Sequence, residues 1–132
     1  MIAPLQRALI AAELPVLRAH GLSMWGYVVL SALDGQTVRT QAALAEFIGA
    51  DKSRIIGVLD ELEDGGLLQR TRDPVDRRAR LLAVTDEGRR KRRAVQVDIR
   101  RKEERLLGHL PLADREAFLR ALATLSALPP VE

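Results

Sequence analysis

DKSRIIGVLDELEDGGLLQRTRDPVDRRARLLAVT, residues 51–85, changes its hydrophobic period part-way along. It opens with Ile55, Val58, Leu59 and Leu62 at helical spacing, breaks at Gly65-Gly66, and continues as two short β-like runs on either side of a turn. The turn is Asp73-Pro74-Val75-Asp76-Arg77-Arg78. Pro74 fixes one φ there, and Asp73 and Asp76 are residues that bond their own backbone, so the spacing predicts a stiff loop tipped with arginine. A basic hairpin directly after a helix fits the surface of a nucleic-acid duplex.

Upstream, Asp34-Gly35-Gln36 is a turn, Thr37-Val38-Arg39 reads as a short third strand, and Thr40 caps a helix from Gln41 to Ile48 that stops at Gly49. Two short helices separated by Gly49-Ala50-Asp51 have the spacing of a helix-turn-helix, whose second helix enters the major groove with its N-terminal residues at the bases. At about 100° per residue, Ile55, Leu59 and Leu62 point one way. Ser53 and Gly57 point roughly opposite, with Lys52 and Arg54 on the flanks. These four make the candidate reading face: Arg54 for a guanine edge, Ser53 for a base or phosphate, Lys52 for phosphate, and Gly57 for close approach. The competing reading of each is an ordinary solvent-facing helix residue.

Outside this region, Ile2, Leu5, Leu9 and Ala12 begin a first helix that continues through Leu14 and Leu17, with Pro15 as a kink and His20-Gly21 as its end. Ser23 caps a second helix, Met24 to Leu33, apolar on nearly every side and therefore buried. Thr85 caps a long helix from Asp86 to about Gly108, with Asp86 and Glu87 in its first turn. Val95, Ile99, Leu106 and Leu110 repeat along one side. After Pro111 a last helix runs from Ala113 to Leu128, with Phe118, Leu119, Leu122 and Leu125 on one stripe. The terminal helices carry more apolar stripe than a small core covers, and burying it between two copies of the chain is the economical solution.

The acidic helix ending in Gly-Leu, the strand, the DPxDRR turn (Asp73 to Arg78) and the strand closing on Val84-Thr85-Asp86-Glu87-Gly88 resemble the MarR family of bacterial transcriptional regulators. The resemblance is strongest from Leu59 to Gly88 and implies a mainly α fold with a small antiparallel β-wing, a winged helix-turn-helix. It implies a two-fold homodimer built from the first, fifth and sixth helices. The single domain would span 1–132, with a winged lobe at 23–85 and a dimerisation lobe from 1–20 and 86–128. It also implies that Asp60, oddly acidic for a DNA-facing helix, pairs with Arg78 and so orients the wing while Arg77 reaches phosphate or minor groove. A small effector, frequently aromatic or anionic, would lie between the dimer helices and the winged lobe. His20, Met24, Trp25 and Tyr27 fall in that region, with plain core packing as the other reading of each.

Composition agrees with one modest core: 132 residues, 47% hydrophobic and only 3% aromatic, so aliphatic side chains must fill it. The net charge of +3 is unevenly spread. Residues 66–105 hold 14 Lys and Arg against 7 Asp and Glu, leaving 7 against 11 in the rest. Such a concentrated basic surface releases counterions on binding DNA. The run Arg89-Arg90-Lys91-Arg92-Arg93 is by itself a solvated helix face, and beside the wing a phosphate surface.

There is no cysteine, which removes disulfides and thiolate chemistry and fits a reducing cytoplasm. The N-terminus lacks a signal-peptide layout, and no stretch reaches transmembrane length. No catalytic motif is present, no cofactor is implied, and His20 and His109 lack the spacing of a metal site. The expectation is a cytoplasmic homodimeric repressor of double-stranded DNA, acting on a pseudo-palindromic operator. The alternative is a winged-helix module whose basic face docks an acidic protein.

Overall fold

Hydrophobic period sets the helices, and short polar side chains set where most of them begin. The computed structural model describes residues 1–35 and 39–129. The first helix, α1 (Ala3–Ala19), has Pro4 near its start and carries Pro15 inside it without ending there. Helix α2 (Met24–Leu33) starts at Ser23, whose hydroxyl accepts the Gly26 N–H at 3.0 Å. Helix α3 (Gln41–Ile48) starts at Thr40, which accepts from Ala43 at 3.1 Å. Helix α4 (Lys52–Asp64) starts at Asp51, which accepts from Arg54 at 2.7 Å. Helix α5 (Asp86–Leu107) starts at Thr85, which accepts from Gly88 at 3.0 Å. A serine or threonine in this position contributes about 1 kcal/mol by satisfying an otherwise orphaned N–H. Helix α6 (Leu112–Ser126) follows Pro111 with no side-chain cap. Gly49 takes φ +70°, the left-handed conformation that lets α3 stop and α4 start within three residues.

Three antiparallel strands, β1 (Arg39–Thr40), β2 (Leu68–Arg72) and β3 (Arg80–Val84), lie in the order β1-β3-β2. The register pairs Leu68 with Val84, Arg70 with Leu82 and Arg72 with Arg80 across the hairpin, and Arg39 with Leu82 at the other edge. Of the third strand expected over Thr37-Val38-Arg39, Arg39 is in β1 together with Thr40, and Thr37 and Val38 lie outside the described residues.

The chain divides into two compact units, Met1–Ile99 and Arg100–Glu132. In the first, Leu17, Leu30, Leu33, Leu44, Ile55, Leu59, Leu68, Leu82 and Val95 are almost completely buried, an aliphatic core as the composition requires. Packing is tight where α5 begins. A Cβ on Gly88 would collide with the Leu67 carbonyl and sit 2.8 Å from Val84 Cγ1, so only glycine lets α5 start so close to β2. The Leu67 carbonyl is also the acceptor for the Thr85 N–H at 3.1 Å. On α1 of this unit, Leu5, Ile10 and Leu14 remain exposed.

In the second unit none of α6 is buried, and Leu112, Phe118, Leu119, Leu122 and Leu125 all stand in solvent. Leu106 and Leu110 are exposed there as well, whereas Val95 and Ile99, on the same predicted stripe, are core of the first unit. Among the described residues, no helix is long and apolar enough to cross a membrane, and no cluster of His, Asp or Glu is placed to hold a metal ion.

Candidate nucleic-acid interface

Helix α4 buries Ile55, Leu59 and Leu62, which turns Lys52, Ser53, Arg54, Gly57 and Asp60 outward, all of them exposed. An alanine Cβ at Gly57 would meet nothing within 4 Å, so no packing inside the protein asks for glycine there. Ser53 is engaged more closely than the sequence implied. Its hydroxyl donates to Asp51 Oδ1 at 2.9 Å, so a phosphate, which only accepts, would gain its proton at the expense of that bond to the capping carboxylate. The Arg54 backbone N–H and, next, the Ser53 hydroxyl hold the Asp51 carboxyl below its ordinary pKa of 3.8.

Arg54 and Trp25 meet, although the sequence placed one on the reading face and the other in an effector region. The Arg54 guanidinium carbon lies 5.7 Å from the centroid of the indole ring, within cation–π range. The half-buried Trp25 projects from α2 and so gives a long, flexible arginine a preferred resting position. Met24 and Tyr27 pack against the hydrophobic core. His20 Nε2 lies 2.9 Å from Asp98 Oδ2, tying the end of α1 to α5 within the first unit. Each of the four thus has a partner of its own: Asp98 for His20, Arg54 for Trp25, and the core for Met24 and Tyr27.

The expected Asp60–Arg78 pair is not formed. Asp60 instead accepts from Arg70 of β2, at 2.5 Å. Arg70 also donates to Glu63 Oε1 at 3.0 Å through its guanidinium and to Glu63 Oε2 at 3.2 Å through its backbone N–H. With 19% of its side chain exposed, Arg70 clamps α4 to the strand that leads into the wing. Its side-chain hydrogen bond lowers the Glu63 pKa. The register explains the substitution: Arg70 sits on the inner strand face with Leu68 and Leu82, directly beside α4, whereas Arg78 is carried out along the loop. The Arg78 side chain has no ion pair among the described residues. Sequence reasoning missed Arg70, although its alternation with Leu68 placed it on the core-facing side.

Both wing aspartates bond the backbone. Asp73 Oδ1 accepts from Val75 N–H at 2.8 Å, and Asp76 Oδ1 accepts from Arg78 N–H at 3.0 Å. The loop is closed by Asp73 N–H to the Ala79 carbonyl at 3.1 Å. Arg77 and Arg78 are exposed at its end, and Val75, 94% exposed, forms its tip. At the neck of the wing Arg72 and Arg80 are direct cross-strand partners, a like-charge pairing that disfavours the hairpin unless an anion lies nearby.

The basic run at the start of α5 is only partly available. Arg92, 16% exposed, pairs with Asp34 at 3.0 Å, and Arg89 pairs with Asp86 at 3.0 Å. Arg90 and Arg93 remain exposed. The solvated-face and phosphate readings of this run thus apply to different residues, and Arg92 belongs to neither.

A helix that turns an uncovered, basic-flanked face outward beside a stiff arginine-tipped hairpin defines a winged helix-turn-helix DNA-binding protein. The model of the MarR family matches residues 22–79, the winged core. A MarR-family transcriptional regulator of known structure from Rhodococcus sp. RHA1 is 30% identical, with a TM-score of 0.81 over 98% of this chain and 92% of that one. The transcriptional repressor CouR, in a structure bound to a 23-mer DNA duplex, is 32% identical, with a TM-score of 0.82 over 95% of this chain and 89% of that one. CouR from Rhodococcus jostii RHA1 bound to p-coumaroyl-CoA is similar at 31% identity, with a TM-score of 0.76 over 99% of this chain and 92% of that one. A protein of Thauera aromatica, named as a candidate transcriptional regulatory protein for the hcr operon, is 28% identical over 106 residues, which are 80% of this chain and 64% of that protein's length. The chain belongs to the MarR family of transcriptional regulators.

Proposed function

We propose that the chain acts in the cytoplasm as a homodimeric, ligand-responsive repressor on a pseudo-palindromic operator. Helix α4 of each subunit would enter a major groove, and the wing would lie over the adjacent minor groove. The observation that carries this reading is the outer face of α4. Lys52, Arg54 and Gly57 are uncovered there, and the hairpin beside them presents Arg77 and Arg78. CouR, similar along nearly the whole chain, is a repressor seen on a DNA duplex. Two copies are supported by the apolar side chains left in solvent on α1 and, separately, on α6. The dimerisation lobe would consist of 1–20 and 86–128, with the winged lobe at 23–85. A small-molecule effector is supported by CouR's complex with p-coumaroyl-CoA, and His20, Met24, Trp25 and Tyr27 are the residues to test for it.

Selection of bound sequences from a random duplex library tests the reading. A two-fold symmetric consensus is expected, with affinity falling log-linearly as salt rises. Sedimentation should give a dimer that Leu119→Glu with Leu122→Glu converts to a 14.6 kDa monomer of weakened DNA affinity. A wild-type monomer at micromolar concentration, or a consensus without symmetry, would overturn the dimeric operator.

A further inference from the structure

We propose that Ile56 is a base-reading residue that seats the 5-methyl group of a thymine in the major groove. The inference rests on the DNA-binding reading above and adds a ligand group to it. Ile56 follows the buried Ile55, yet it is 46% exposed and belongs to no core stripe. Helix formation does not explain it, since a β-branched residue is a poorer helix former than the lysine, arginine or glutamate an exposed position usually holds.

The surroundings of Ile56 identify its occupant. It lines an open hollow of about 460 Å³ together with Gln41, Glu63, Arg70 and Arg80. The lining holds Glu63 against Arg70 and Arg80, and Arg70 is also paired with Asp60 outside it, so the charges of the lining and this partner sum to zero. Lys52 lies one helical turn before Ile56 on α4, and Arg77 and Arg78 are exposed at the end of the wing. A phosphate needs net positive charge at the contact, so Lys52 and the wing arginines suit the backbones, while the charge-balanced hollow with Ile56 as its apolar side chain suits base edges. Among the groups that unmodified base pairs present in the major groove, the thymine methyl is the apolar one.

The experiment uses the full-length protein and a duplex recovered by random-library selection, with each thymine replaced in turn by deoxyuridine, which removes only the methyl. At one thymine in each half-site the substitution should raise Kd about fourfold, the effect of withdrawing one buried methyl group. Ile56→Ala, which removes the contact from both half-sites of the dimer, should weaken binding to the unmodified duplex by about the square of that factor, roughly 15-fold, and should no longer distinguish thymine from deoxyuridine there. Sensitivity at every other position should be unchanged. Ile56→Val, which keeps most of the side chain, should retain part of the discrimination and controls for folding. If the protein binds the selected duplex but no thymine is sensitive, or if Ile56→Ala loses equally on both bases, Ile56 does not read a methyl and the regulator reading stands. A protein that binds no duplex overturns both.

Discussion

Gly57→Ala should make this protein more stable and a poorer DNA binder. Gly57 lies within the second turn of α4, outside the set of glycines with positive φ, and a Cβ there meets no atom within 4 Å. Folding therefore draws on neither property that sets glycine apart, its left-handed conformations or its lack of bulk. Alanine should recover the difference in helix propensity, about 0.8–1 kcal/mol, partly by narrowing the unfolded ensemble. For a chain of this size that corresponds to a rise in Tm of roughly 3–5 °C. The added methyl, however, lies opposite Ile55, Leu59 and Leu62, on the side where the α4 backbone would approach the bases. Filling a close contact costs about 1–3 kcal/mol, which is roughly a 5- to 150-fold increase in Kd. Circular-dichroism melts and fluorescence anisotropy on the selected duplex read the two effects separately. A higher Tm with unchanged Kd would remove Gly57 from the interface, and a lower Tm would contradict the open environment found here.

Other side chains at the interface give equally direct tests. Arg70→Met leaves Asp60 and Glu63 without their cation on the groove-facing helix, so affinity should fall roughly tenfold, with partial recovery on adding Asp60→Asn; equal affinity for Arg70→Met and wild type would mean the clamp is irrelevant to binding. Trp25 is the only tryptophan, so Arg54→Ala should alter the emission spectrum, and operator DNA should do likewise as Arg54 leaves the ring for a base; an Arg54→Ala spectrum identical to wild type would show that the stacking is absent in solution. Asp51 and Glu63 have pKa values lowered from 3.8 and 4.5, so their contribution to stability is complete above about those values and is lost as pH falls through the lowered folded-state pKa values. Asp51→Asn keeps a cap acceptor without titrating there, and acid melts below pH 4 should be shallower for it than for wild type.

Most of the fold was readable because the signals are local. Ser23, Thr40 and Thr85 each sit directly before a helical apolar period, and the caps formed there need no knowledge of tertiary structure. The wing was equally plain, since the backbone bonds of Asp73 and Asp76 close within two residues. What escaped the sequence is side-chain partnership across elements. Asp60 has several arginines within reach of a hairpin, and the choice of Arg70 over Arg78 depends on strand register and on which face of β2 meets α4. Arg92 looked like its neighbours in a basic run until its rotation on α5 brought it to Asp34 at the end of α2. Arg54 and Trp25 lie 29 positions apart on different helices, and nothing in either local pattern announces their contact.

The places where this chain departs from what stability alone would select are concentrated on the face formed by α4 and the wing. A glycine occupies a helix interior where an added Cβ meets nothing, and an isoleucine stands half in water next to it. Asp60 and Glu63 on the same helix need an arginine from β2 to offset them, and Arg72 faces Arg80 across the neck of the hairpin. Each departure is unfavourable or neutral for the isolated protein, and sequences that specify one fold keep such conflicts for sites that do something else. A duplex reconciles them together. Its phosphates offset the facing arginines, its groove accepts a helix without a side chain in the way, and its base edges offer methyl groups to an exposed apolar residue. An acidic protein surface would offset the arginines equally well, but it gives no reason for a bare helix backbone beside a neutral, part-apolar hollow, and so the α4 face favours DNA over a protein partner.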